Sequence, residues 1–191
     1  MKFDILFAGV GGQGVLSMAA IIGRAAMAAG LNAKQSEVHG MAQRGGAVQA
    51  HLRLSDGAIA SDLILSLEPL EGLRHLDGLS PDGTLITSAT PFLNIPDYPD
   101  PESLLRRIRS LPHAIVIEAE RLAESAGDLQ ASNTVMVGAA SRLLPLTAES
   151  LERAVHQNFA RKGEIALRVN LAAFRAGRAA APEPVAPGGP G

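Results

Sequence analysis

Residues 2–14, KFDILFAGVGGQG, constrain this chain more than any other stretch, together with the apolar helix they lead into. The run over residues 3–8 reads as a strand. It breaks into Gly9, Gly11 and Gly14, spaced G-x-G-x-x-G, and residues 15–29 then read as a helix. That strand–glycine turn–helix order is the context a dinucleotide fingerprint requires. Glycine allows positive φ, lets backbone N–H groups approach an anion, and lets the helix pack close to the sheet. The helix N-terminus adds a partial positive charge, worth roughly 0.3–1 kcal/mol toward a nearby anion. Alone, the motif also fits a tight β–α turn with no ligand.

Further along, Gly30 sits where a left-handed C-terminal cap belongs. Residues 31–38 read as a second strand, so the chain opens on a βαβ unit and a parallel sheet is expected. Residues 47–54 alternate, with Val48, Ala50, Leu52 and Leu54 on one face and Gln49, His51 and Arg53 on the other: a half-buried strand. Ser55-Asp56-Gly57 is a turn signal that leaves room for a hairpin with residues 58–60. Residues 62–67 are a strand, Pro69 suits the first turn of a helix over 70–76, residues 80–83 form a turn, and 84–88 a strand. The proline-rich stretch 91–101 is irregular. Asp100-Pro101-Glu102 starts a helix that runs to about Ser110, and residues 114–117 are another strand. From Asn133 the pattern is helical: 134–144, then 148–162 capped by Thr147, then 164–176. The expectation is an α/β, Rossmann-like, doubly wound, mostly parallel sheet with C-terminal helices. Residues 1–177 form a single domain, and 178–191 a disordered Pro/Gly/Ala-rich tail.

Composition narrows the chemistry. At a net charge of −2 and with 3% aromatic residues, there is no electrostatic or stacking case for nucleic acid or for an anionic membrane. The absence of cysteine excludes disulfides, thiol nucleophiles and any Fe–S cluster ligated by this chain alone. Met1 runs straight into the first strand and no stretch is long enough to span a bilayer, so the chain is expected to be soluble and cytoplasmic.

Glu37 lies 23 residues past Gly14, near the spacing of the acid that bonds a ribose in NAD-binding folds. It also opens a stretch such folds do not need, EVHGMAQRGG over residues 37–46. There, Gly45 and Gly46 beside Arg44 suggest backbone held close to another surface, with a guanidinium fork aimed at a carboxylate or phosphate. The plainer readings are a surface salt bridge for Arg44 and an ordinary loop histidine for His39.

The pair GVGGQGV, residues 9–15, and EVHGMAQRGG, residues 37–46, resembles the gamma domain of 2-oxoacid:ferredoxin oxidoreductases, in particular the small subunit of the indolepyruvate enzymes. Residues 68–83 and 132–146 are similar to the same pattern, so the resemblance covers nearly the whole chain. It implies a larger partner subunit that carries thiamine diphosphate, magnesium and 4Fe–4S clusters. It also implies oxidative decarboxylation of a 2-oxoacid with coenzyme A, giving acyl-CoA, CO2 and reduced ferredoxin or a similar acceptor. This chain would bind none of these cofactors alone and would be inactive in isolation. Its contribution would be to complete the active site and help receive coenzyme A, through Gly9, Gly11, Gly12, Gln13, Gly14, Glu37, His39, Arg44, Gly45 and Gly46. The alternatives are a free-standing NAD(P)-binding protein and a purely structural interaction module. No catalytic constellation or metal-ligand spacing stands out. His51, His75, His113 and His156 read as surface or helix-end residues, Arg106, Arg107 and Arg109 as a solvated face, and Asn133 as a helix cap more than a ligand.

Overall fold

Residues Asp4–Val10 form β1, buried at every position. Both faces of this strand are covered, which is why its sequence is apolar and does not alternate. The computed structural model describes residues 3–39, 46–54, 61–93 and 95–183. Within these, β1 joins β2 (Lys34–His39), β3 (Ala47–Arg53), β4 (Ser61–Ser66), β5 (Leu79–Ser88) and β6 (Ala114–Ile117) in one sheet of order β2-β3-β1-β4-β5-β6. The β1, β4, β5 and β6 pairings are parallel, whereas β3 runs antiparallel to both β1 and β2. The mostly parallel α/β sheet is therefore as expected.

The opening βαβ unit needs a correction. β2 runs in the same direction as β1 but does not pair with it, because the reversed β3 lies between them. The alternation in residues 47–54 marks a strand; it carries no information on which neighbour it joins.

Helix α1 (Val15–Ala28) packs against the face presented by Ile5 and Phe7, burying Met18, Ile21 and Ile22. Each such side chain contributes about 1.5–3 kcal/mol on burial. Gly30 ends the helix at φ +79, with Gly30 N donating to Met27 O and Leu31 N to Ala26 O, a Schellman cap. The opposite face is smaller. Leu6, Ile64 and Leu85 meet Leu104 and Ile108 of α3 (Pro101–Arg109), with α2 (Pro69–Arg74) beside them. Asp100 caps α3, accepting from Ser103 N at 2.9 Å, as its sequence suggests.

On the α1 side lie α4 (Ala119–Ala126), α5 (Ser132–Ala140), α6 (Ala148–Phe159) and α7 (Glu164–Ala180). Thr147 caps α6 by accepting from Ser150 N at 3.2 Å. Some elements differ from expectation. α5 ends at Ala140, short of the expected 144. α4 has no counterpart in the sequence reading. Residues 79–88 form one strand with a register shift against β4, not a turn followed by a strand. α7 runs through Gly177 to Ala180, so the expected end of the domain at 177 falls inside a helix. The hairpin expected over residues 55–60 and tail residues 184–191 lie outside the described residues. No helix among the described residues is long and apolar enough to cross a membrane.

Candidate functional site

The glycine turn sits at the C-terminal end of β1. There the connection to α1 departs toward β2 while β4 follows on the other side, the crevice where doubly wound sheets place ligands. Gly9 is buried at the strand end; a Cβ on it would come 2.8 Å from Val15 Cγ2 and 2.9 Å from Gln13 Oε1. Gln13 is folded back into the turn. Its Oε1 accepts from Val10 N at 2.7 Å and its Nε2 donates to Leu67 O at 3.4 Å, tying β1 to the end of β4. Gly11 N donates to Gly46 O at 2.8 Å, and Gln13 N to Val10 O at 3.1 Å. Two of the amides expected to face a ligand are thus used internally. In return, the turn is joined to the start of β3.

Gly14, at φ +86, begins α1 without a side-chain cap. Within the first turn Ser17 N donates to Gly14 O at 3.0 Å, and Gly14 and Ser17 border a cleft of about 490 Å³. Gly12, Gly14 and Ser17 form one wall; Ser132, Asn133 and Asn170 form another, with Phe159 and Lys162 at the side. Asn133 is not a cap: it is the second residue of α5, whose first turn has no side-chain cap, and its Nδ2 lies 2.5 Å from where a Cβ on Gly14 would stand. Thr134 Oγ1 donates to Asn170 Oδ1 at 2.6 Å, and Asn170 Nδ2 to Ala166 O at 2.8 Å, which locks α5 to α7 beside the cleft. Lys162 Nζ is held 4.9 Å from the Phe159 ring centroid. Asp128 is the one carboxylate among the described lining residues, and its Oδ1 accepts from Gln130 N at 2.9 Å. Lys162, Asn170 and Ser17 carry no motif; only the folding of α6 and α7 back onto α1 brings them here.

Beside the turn is a buried carboxylate that sequence reading passed over. Glu68 follows Leu67, is 1% exposed, and caps α2 by accepting from Glu71 N at 2.8 Å. Its other oxygen accepts from Tyr98 Oη and, at 3.4 Å, from Phe92 N. The proline-rich strap between β5 and α3 is thereby fastened to the end of β4. Burial and the Glu68 contact hold the Tyr98 hydroxyl well above the usual phenol range, so it stays a donor. Burial also raises the Glu71 carboxyl, against the pull of Arg74, whose Nη1 donates to Glu71 Oε1 at 2.6 Å. Tyr98→Phe is expected to cost about 1.5–3 kcal/mol in urea unfolding, the range for a hydrogen bond to a charged group. An unchanged midpoint would show that the strap is held by its prolines alone. His75 is a helix-end residue, as expected: it follows α2 as its C-cap, half-buried and hydrogen-bonded to Gln49 Nε2 at 2.9 Å.

Of the remaining expected site residues, Glu37 and His39 are in β2, their backbones opposite Ala50 and Val48. Gly46 meets the glycine turn as described. Arg44 and Gly45 lie outside the described residues. Among the described residues no group of three or more His, Asp or Glu side chains is placed to hold a metal ion.

The sheet order, the switch-point turn and the cleft define an α/β domain with a ligand crevice at the end of its first strand. The family model of pyruvate ferredoxin/flavodoxin oxidoreductase matches residues 4–180, and the chain belongs to that family. Within it, the chain is 38% identical to indolepyruvate oxidoreductase subunit IorB of Methanothermobacter thermautotrophicus, over 96% of this chain and 100% of the relative. The gamma subunit of a keto/oxoacid ferredoxin oxidoreductase from Geobacter sulfurreducens superposes with a TM-score of 0.73 at 26% identity, covering 94% of this chain and 98% of that one. The same fold, at 23% identity and a TM-score of 0.72, forms 33% of a chain of 2-oxoglutarate:ferredoxin oxidoreductase from Magnetococcus marinus, solved with 2-oxoglutarate, coenzyme A and succinyl-CoA bound. The protein is thus a small subunit of a 2-oxoacid:ferredoxin oxidoreductase, as the two glycine motifs suggest.

Proposed function

We propose that this subunit completes the active site of a cytoplasmic complex that oxidatively decarboxylates an arylpyruvate such as indolepyruvate, and that the cleft over α1 receives coenzyme A. The large partner subunit carries thiamine diphosphate with magnesium, which supplies the decarboxylation chemistry, and the 4Fe–4S clusters that pass electrons to ferredoxin. The absence of cysteine fits this division of labour. Support for the substrate class comes from the 38% identical relative named for indolepyruvate, and support for the thioester partner from the coenzyme A in the Magnetococcus enzyme.

The observation that carries the cleft assignment is the meeting of the uncapped first turn of α1 with Lys162 and the amide-bearing Asn133 in one cavity. The positive end of a helix and an ammonium suit phosphate oxygens. The glycine turn contributes shape and the helix end more than a row of free amides, since Gly11 and Gln13 are engaged. Arg44, two residues before the Gly46 anchor, would supply a guanidinium to the pyrophosphate, with Gly45 and Gly46 allowing close approach. Glu37 and His39 belong to the strand that precedes these residues in sequence.

The NAD alternative fares worse in this geometry. An acid that bonds the ribose normally stands on the strand next to β1, about 4.8 Å away. Here β3 fills that place, and Glu37 is one strand further out.

In the assembled complex, Lys162→Ala is expected to raise KM for coenzyme A roughly five- to tenfold with kcat nearly unchanged, because an exposed ammonium gives a modest charge-assisted contact. An unchanged KM with assembly intact would remove coenzyme A from this cleft. Isothermal titration of the chain with NAD, NADP and coenzyme A provides the contrast: tight NAD binding would overturn the proposal.

A further inference from the structure

In a dinucleotide-binding G-x-G-x-x-G turn the first glycine allows the tight turn, and the second lets backbone approach the pyrophosphate. Gly9 answers to a different need. Its φ is not positive, and it is buried within β1. What forbids a side chain there is the protein itself: a Cβ would stand 2.8 Å from Val15 Cγ2 and 2.9 Å from Gln13 Oε1. Glycine at position 9 leaves room for a side chain four residues later.

The Gln13 carboxamide uses that room and is engaged at both ends. Its Oε1 accepts from Val10 N at 2.7 Å, and its Nε2 donates to Leu67 O over a longer 3.4 Å. One residue thereby closes the turn and bridges the ends of the neighbouring parallel strands β1 and β4. On the other side, Gly11 N fastens the same turn to Gly46 O at the start of β3. The residue after Gln13 is Gly14, from which α1 starts, hard against Asn133. Gln13, Gly14, Asn133 and Lys162 all line the cleft. The position of the helix end in the cleft therefore depends on how this one side chain is seated.

We propose that Gln13 is a positioning residue for the coenzyme A cleft. Its carboxamide seats the glycine turn on β4 and so sets the start of α1 against Asn133 and Lys162, without itself binding the ligand. The proposal rests on the reading that this cleft receives coenzyme A. A cleft built on a helix end is sensitive to such a seat, because the field of the helix falls off within its first turn. Gly9 is the other half of the device, since only its missing Cβ lets the carboxamide reach Val10 N.

The test uses the full chain assembled with its large subunit, reading KM for coenzyme A and kcat separately. Gln13→Met keeps the length of the side chain and removes both hydrogen bonds. KM is expected to rise roughly five- to tenfold with kcat held within about twofold, the scale of a lost neutral hydrogen bond. Gly9→Ala leaves Gln13 in the chain but crowds its carboxamide out of the turn, and should raise KM by a similar factor. A Gln13 that bound the ligand directly would instead be freed by Gly9→Ala, and a KM that holds or falls in that variant overturns the proposal. Because both changes break one seat, the double variant should be no worse than the larger single effect; multiplying effects would mean two independent roles and overturn it. Asp100→Ala removes the cap of α3 on the opposite face of the sheet, which lowers stability away from the seat. Its KM should stay at the wild-type value; a rise there would show that KM follows general loosening of the fold, against a positioning role. If Gly9→Ala does not fold, amide exchange at Val10 in the isolated chain takes its place: it should quicken in Gln13→Met and not in Asp100→Ala, and unchanged exchange overturns the seat. A KM unmoved by Gln13→Met but raised by Lys162→Ala overturns the positioning role and leaves the coenzyme A reading standing. A KM unmoved by both overturns both.

Discussion

Gly138→Ala and Gly177→Ala are each expected to destabilise the chain by at least about 3 kcal/mol, the upper end of what overpacking a core costs. Helix propensity alone predicts the opposite sign, a gain of about 1 kcal/mol for replacing a helical glycine by alanine. The contact geometry decides which wins. A Cβ on Gly138 would stand 2.0 Å from Phe174 O, and one on Gly177 would stand 1.9 Å from Val135 O. The glycines are reciprocal: each lets α5 or α7 bring its backbone against the other helix, and the obstructing atoms are carbonyls that no rotamer change can move. Relief requires the helices to separate, which would strain the Thr134–Asn170 bond and the 2.9 Å bond from Arg142 Nε to Arg178 O. Gly23→Ala in α1 is the control. Its nearest atom is the flexible Leu52 Cδ1 at 3.6 Å, so propensity should prevail there and the variant be neutral or slightly more stable. Urea midpoints of the three variants check this, and a Gly138→Ala protein as stable as wild type would refute the tight crossing.

That crossing also shows where a single sequence stops being readable. Signals that act within one turn of chain were plain: Asp100 and Thr147 as N-caps and Gly30 as a left-handed C-cap. Gly177 looked like another such break, yet the helix continues through it because the residue serves a neighbour far away in sequence. α4 went unread because AERLAESA buries only Ala119 and Ala123, too little apolar surface to stand out as a stripe. Strand identity was legible and strand order was not: periodicity places residues 47–54 on a half-buried strand, whereas the insertion of β3 between β1 and β2 follows from long-range pairing. The site divides the same way. Gly9–Gly14 announced themselves by spacing. Asn133 read as a cap more than a ligand, Lys162 not at all, and Glu68 acquires its role from Tyr98, 30 residues later.

Gly14→Ala is expected to be the most damaging single change to the site itself, through two separable effects. The backbone at φ +86 is left-handed, which costs a non-glycine residue roughly 1–2 kcal/mol. The new methyl would also stand 2.5 Å from Asn133 Nδ2, and Asn133 is hemmed in, being only 9% exposed beside the Thr134–Asn170 bond. Gly12→Ala isolates the first effect, since Gly12 has φ +103 but nothing within 4 Å of the position its Cβ would take. Unfolding of the isolated chain should therefore show Gly14→Ala to be less stable than Gly12→Ala, and Asn133→Ala should recover part of that difference in the double variant. In the assembled complex the displaced Asn133 would narrow the cleft at the helix end. KM for coenzyme A should then rise at least about tenfold for Gly14→Ala, the scale of a lost charge-assisted contact, and much less for Gly12→Ala. Equal effects of the two alanines on both stability and KM would mean that the glycine turn matters only for its backbone angles and that Asn133 has no part in the cleft.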